Sequence, residues 1–125
     1  MAARPTIFLT GATGHLGSAV LRRLVIGGVD VCVLGRRPPP TLPGVRFLVA
    51  DFSRPDSLLR HARAFAGAWS VVHLAAAVPQ GIDATPDIKT LYQTNVLGSI
   101  ILASLLPKGA HLVFASTVEV YGRPR

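Results

Sequence analysis

Three glycines stand three residues apart in Gly11-Ala12-Thr13-Gly14-His15-Leu16-Gly17. An apolar run, Thr6 to Thr10, precedes them and a helical apolar pattern follows. Gly11 lets the chain turn sharply off a strand. Gly14 lets bare main-chain amides approach a diphosphate that a Cβ would hold away. Gly17 lets the following helix pack close to the strand. The start of that helix offers unpaired N–H groups and a partial positive charge to the same phosphates. The loop Gly11, Thr13, Gly14, His15, Leu16 and Gly17 is therefore the candidate grip on a dinucleotide; the alternative is a glycine-rich turn that binds nothing.

A second group, Gly35-Arg36-Arg37, ends the next apolar run. An NAD-selective site carries an acidic residue about 20 residues beyond the glycine loop, where it bonds the ribose 2′-OH. No carboxylate stands here, and a guanidinium can hold a phosphate in a two-pronged geometry. The cofactor expected from these residues is NADP, with Arg36 the better reader of its 2′-phosphate, Arg37 the second, and NAD the second choice. The bland alternative is a pair of arginines on a solvated loop.

These groups need elements to hold them. Thr6 to Thr10 reads as a buried strand. From His15 to Ile26, Leu16, Val20, Leu21, Leu24 and Val25 share one helical face, and Gly27-Gly28 stops that helix. Asp30 to Leu34 is a second strand, and Pro38-Pro39-Pro40 then enforces a loop. Val45 to Val49 is a third strand. Ser53 is placed to cap a helix that has Pro55 in its first turn and runs to about Ala66. Ser70 to Leu74 is a fourth strand, Pro86 to Leu106 a longer helix stopped by Pro107 and Gly109, and Ala110 to Ala115 a fifth strand. Strands without polar alternation, separated by helices, imply an α/β fold with a parallel sheet covered on both faces. Right-handed crossovers make it doubly wound in the order 3-2-1-4-5, with ligands beyond the strand ends where the order reverses, between strands one and four.

With these pieces in place, Thr10-Gly11-Ala12-Thr13-Gly14-His15-Leu16-Gly17 resembles the T-G-A-T-G-x-[LIV]-G opening of the extended short-chain dehydrogenase/reductase family, which includes NAD(P)-dependent epimerases and dehydratases. The resemblance implies a Rossmann domain and recurs at the later strand ends. Asp51-Phe52 falls on the family's adenine-side position, which implies that Asp51 accepts from the adenine amino group and that Phe52 packs beside the ring; the less favoured alternative is that Asp51 merely caps the next helix. His73-Leu74-Ala75-Ala76 resembles H-x-A-A, whose small side chains let the ribose and nicotinamide lie along the backbone of Leu74, Ala75, Ala76 and Ala77. His73 is read as a packed or hydrogen-bonded residue without chemistry of its own. Asn95 and Gly98 resemble N-[VI]-x-G, which implies a structural hydrogen bond supporting the site. Ser116-Thr117-Val118-Glu119-Val120-Tyr121-Gly122 resembles S-[ST]-x-x-V-Y-G, and Thr117 falls on the family's active-site Ser/Thr, the one catalytic residue implied. Val118 stands where the dehydratase pattern has an acid.

The family's Tyr-x-x-x-Lys acid/base pair is not matched. Tyr121 with Arg125 mimics the spacing, but Tyr121 belongs to V-Y-G, and arginine is too basic to replace the lysine. Residues 1–125 are thus expected to be the N-terminal NAD(P)-binding domain of an oxidoreductase or epimerase acting on a hydroxyl/carbonyl pair, truncated after the fifth strand and inactive alone. A homodimer is possible for the full-length form. The other reading is a non-catalytic NAD(P)-binding sensor of the same fold; a Tyr-x-x-x-Lys soon after Arg125 in the parent gene would favour the enzyme.

Composition agrees with this assignment. Half of the 125 residues are apolar and 15% are charged, so a core can be buried in one domain. The net charge of +7 suits a phosphate-bearing ligand. Nucleic acid is not expected as a partner, because the basic residues are scattered and lack interleaved aromatics. No run reaches the roughly 20 apolar residues of a membrane span, so no membrane partner is expected. The lone Cys32 points to a reducing compartment, taken as cytoplasmic, and reads as a small buried hydrophobe. No metal site is expected.

Overall fold

The computed structural model describes residues 4–78, 85 and 87–123. Five parallel strands form one sheet in the order β3-β2-β1-β4-β5: β1 Thr6–Thr10, β2 Asp30–Gly35, β3 Val45–Val49, β4 Ala68–His73 and β5 His111–Phe114. β1 lies at the centre, with Thr10 opposite Leu34 on one side and His73 on the other. This is the doubly wound order expected from the sequence, and the reversal falls between β1 and β4.

Alternate side chains of the central strands feed two cores. Phe8, Cys32, Leu34 and Val71 join Phe52, Leu58, Phe65 and Leu102 on one face. Leu9, Val31 and Val33 join Ala12 and Leu21 on the other, against the apolar side of helix α1, His15–Ile26. A strand buried on both sides has no polar positions to spare, hence the unbroken apolar runs. Phe65 stacks on Phe8 with centroids 4.7 Å apart.

The long helix expected from Ser53 to Ala66 does not form. A single α turn, α2 at Asp56–Leu59, is followed by tight turns and a 3₁₀ turn at Ala64–Gly67. Side chains bonded to the backbone explain the departure. The Ser57 hydroxyl bonds both the amide and the carbonyl of Asp51, and the His61 ring lies 2.7 Å from the Val49 carbonyl. Such bonds tether the segment to the end of β3 and favour i→i+3 turns over a regular helix. Nor does Ser53 cap α2; Pro55 holds that position, and Ser53 turns back to Asp51.

The expected helix from Pro86 to Leu106 is present as three joined pieces, with Pro86 itself outside the described residues. α3 covers Ile88–Tyr92, a π-helical turn covers Gln93–Leu97, and α4 covers Gly98–Ser104. Asp87 caps the start by accepting from the amide and hydroxyl of Thr90, which also holds its carboxyl below the ordinary value. A π turn commonly marks a functional position, and here it carries Asn95.

Candidate functional site

A cleft of about 350 Å³ opens beyond the C-terminal ends of β1, β2 and β4. Its size is that of a small-molecule site. The glycine loop forms one wall through Gly11, Ala12, Thr13 and Gly14. Gly11 adopts φ +72°, and a Cβ there would sit 2.8 Å from the Ala75 nitrogen. Gly17 packs beneath this loop: its Cβ would fall 1.8 Å from the Gly11 carbonyl oxygen, a collision with backbone. Gly17 therefore lets the helix meet the strand, as its spacing suggested. Gly17, His15 and Leu16 lie in the first turn of α1 and are not part of the cleft lining.

The opposite wall is polar. Gly35, Arg36 and Arg37 follow β2, and Asp51, Phe52 and Ser53 follow β3, all on the lining. Burial opposes ionisation of Asp51, but the Ser53 hydroxyl and amide donated to it, with Arg36 and Arg54 nearby, outweigh that effect. The carboxyl is held below its ordinary value. Asp51 is thus charged and turned into its own loop on the cleft lining; it does not cap α2, which follows Pro55 without a side-chain cap.

Leu74, Ala75, Ala76 and Ala77, which follow β4 on the other side of the glycine loop, make the floor of the cleft. They are held by side chains rather than by a neighbouring strand. The Thr10 hydroxyl accepts from the amides of Leu74 and Ala75 at 3.1 and 3.0 Å. Asn95 grips Ala77 at both ends, accepting from its amide and donating to its carbonyl at 2.8 Å each. The structural hydrogen bond expected of Asn95 is this clamp.

His73, at the end of β4, is 2% exposed. Its ring stacks on Phe52 at 5.3 Å and tilts against Phe114 at 5.7 Å. Nδ1 lies 2.6 Å from the Thr10 hydroxyl and Nε2 lies 2.9 Å from that of Ser99. Burial pushes its pKa down to about 4, so the ring is neutral. Phe52 approaches closely because position 98 is glycine; a Cβ there would stand 3.1 Å from the Phe52 ring.

Thr117 follows β5 on the same edge of the sheet, exposed, and is not brought onto the cleft lining. Its carbonyl accepts from the Val120 amide at 3.3 Å. The lining includes Thr90 and Thr94, which sequence reasoning missed. Their signal was a pair of hydroxyl residues one turn apart beside Asn95, and Thr94 is buried. Cys32 is buried and burial raises its thiol pKa, with Arg46 opposing, so it behaves as core. Among the described residues no group of three His, Cys, Asp or Glu side chains could hold a metal, and no helix is long and apolar enough to cross a membrane.

Residues 7–125 match the sequence profile of the NAD dependent epimerase/dehydratase family. A UDP-glucose 4-epimerase of Azospirillum brasilense is 31% identical over 134 residues, covering 98% of this chain and 36% of that protein. One from Neisseria gonorrhoeae is 31% identical over 130 residues, covering 94% and 38%. The chain thus spans little more than a third of the length of these relatives. Among solved structures, the Bordetella bronchiseptica enzyme WbmG in complex with NAD superposes with a TM-score of 0.78 at 28% identity, covering 98% of this chain and 41% of that one. MoeE5 in complex with UDP-glucose and NAD gives a TM-score of 0.76 at 28% identity, covering 94% and 38%.

Proposed function

The chain belongs to the NAD dependent epimerase/dehydratase family, and from that premise we propose that residues 1–125 form the NAD(P)-binding domain of an oxidoreductase or epimerase. Its substrate would carry a hydroxyl/carbonyl pair, on a nucleotide sugar or a similar small molecule. The observation that carries this reading is the cleft at the strand reversal, walled by a glycine loop on one side and by arginines on the other. The names of the relatives support it: two are UDP-glucose 4-epimerases, and two solved neighbours hold NAD, one of them with UDP-glucose.

The residues present fit a dinucleotide. Gly11, Thr13 and Gly14 give a wall of bare backbone for the diphosphate, and His15, Leu16 and Gly17 bring the positive end of α1 to it. Asp51 and Phe52 take the adenine side, and Leu74 to Ala77 the ribose and nicotinamide side. The bound nicotinamide supplies or accepts hydride. Thr117 is assigned to donate its hydroxyl to the substrate oxygen, which stabilises charge gathering there as hydride moves.

The cofactor we favour is NADP. No carboxylate follows β2, and Arg36 and Arg37 line the cleft where a 2′-phosphate would lie. Titration of the wild type and Arg36→Ala with NADPH and NADH tests this. NADPH affinity should fall by about 1–3 kcal/mol, the worth of a charge-assisted contact, and NADH affinity should not change. Equal losses for both would refute the assignment of Arg36, and no uptake of either by the wild type would refute the cleft as a dinucleotide site.

A further inference from the structure

We propose that His73 is a positioning residue of the cleft: held as the tautomer protonated at Nε2, it fixes the direction of a hydroxyl relay that sets the backbone of Leu74 and Ala75. The inference deepens the dinucleotide reading above and rests on it.

The direction follows from counting protons and lone pairs. A hydroxyl oxygen can accept twice and donate once. Thr10 Oγ1 already accepts from the Leu74 and Ala75 amides. Its remaining capacity is its own proton, and the ring nitrogen 2.6 Å away, Nδ1 of His73, must receive it. Nδ1 is then bare, and the neutral ring carries its proton on Nε2. That proton points to Ser99 Oγ at 2.9 Å. Ser99 in turn donates to the Asn95 carbonyl at 2.8 Å. Both hydroxyl protons and both ring nitrogens are each used once in a consistent sense, from the floor of the cleft to the π turn.

The same π turn presents the Asn95 side chain that clamps Ala77. The relay therefore ties the floor to one helix at two points, Leu74–Ala75 through His73 and Ala77 directly. With the opposite tautomer, Nδ1–H would face a Thr10 oxygen whose lone pairs are spent. One amide of the floor would have to be released, and Ser99 would face a bare Nε2. The ring's stacking on Phe52, itself on the cleft lining, holds it in the plane that the relay needs.

The test begins with long-range ¹H–¹⁵N correlation of the His73 ring in the ligand-free chain at neutral pH. The expected pattern is a protonated Nε2 and a bare Nδ1; a protonated Nδ1 overturns the proposal. Thr10→Val removes the partner of the Leu74 and Ala75 amides and of His73 Nδ1, and should speed amide exchange at Leu74 and Ala75 and weaken dinucleotide binding by roughly tenfold or more. Thr10→Ser should restore both. Ser99→Ala, a smaller change should Thr10→Val fail to fold, should shift the ring pattern and weaken binding in the same direction. Unchanged ring signals and unchanged affinity in folded Ser99→Ala would also overturn the proposal. A wild type with the expected ring pattern and protected amides, yet no dinucleotide uptake, would instead overturn the functional reading and leave the tautomer standing.

Discussion

At the scale of single residues, two positions carry consequences that can be measured apart from any ligand. Gly17 has no room for a side chain, because the obstacle is the carbonyl of Gly11 rather than a movable side chain. Gly17→Ala should destabilise the fold by about 3 kcal/mol or more despite the better helix propensity of alanine, as chemical denaturation would show. His73 makes stability depend on acidity. Its pKa is about 4 in the folded chain against an ordinary 6.5. Between those values the unfolded chain binds the extra proton, so stability rises with pH. The contribution is fully present above about pH 6.5 and is lost as pH falls toward 4, with a slope of up to about 1.4 kcal/mol per pH unit. Urea titrations across that range should show the slope, and a His73 variant that cannot titrate should flatten it. Asp51 and Asp87, both lowered from 3.8, lose their contributions only below that window.

At the scale of elements, the π turn is the feature whose geometry is most easily disturbed. Gly98 sits at its exit against the ring and carbonyl of Phe52 and the carbonyl of Gln93, at 3.1 to 3.3 Å from where a Cβ would lie. Alanine there gains about 1 kcal/mol of helix propensity. Two of the three neighbours are backbone oxygens, so crowding should win: Gly98→Ala is expected to lower stability by about 1 kcal/mol net and to shift the Phe52 ring signals. The strands were legible to within two residues at each end. A two-sided core explains this for β1, β2 and β4, whereas β5 is exposed along its length and β3 is only half-buried, so the sheet is not covered on both faces at its edges. The segment from Ser53 to Ala66 was not, since its turns depend on Ser57 and His61 reaching backbone that is distant in the pattern. The π turn was equally hidden, as nothing in the spacing of Gln93 to Leu97 distinguishes it from an α turn. The site divides in the same way. Gly11, Thr13, Gly14, Arg36, Arg37, Asp51, Phe52 and Leu74 to Ala77 were readable at strand ends, whereas Thr90 and Thr94 reach the cleft from a helix. His15, Leu16, Gly17 and Thr117 stand off its lining.

For the whole molecule, sheet and cleft are one object: β1 is hydrogen-bonded to both neighbours, and the cleft opens where β1 and β4 stop pairing. A ligand gripped there is linked to global unfolding. Dinucleotide at about a hundred times its dissociation constant should add about 2.7 kcal/mol of stability, read as a rise of several degrees in the melting temperature. The strand end beyond His73 has its main-chain groups claimed by Thr10 and Asn95, so it behaves like a zip with two teeth already hooked elsewhere. That lip of the mouth is shaped by the chain's own side chains, so a guest would meet an edge whose outline is drawn from within.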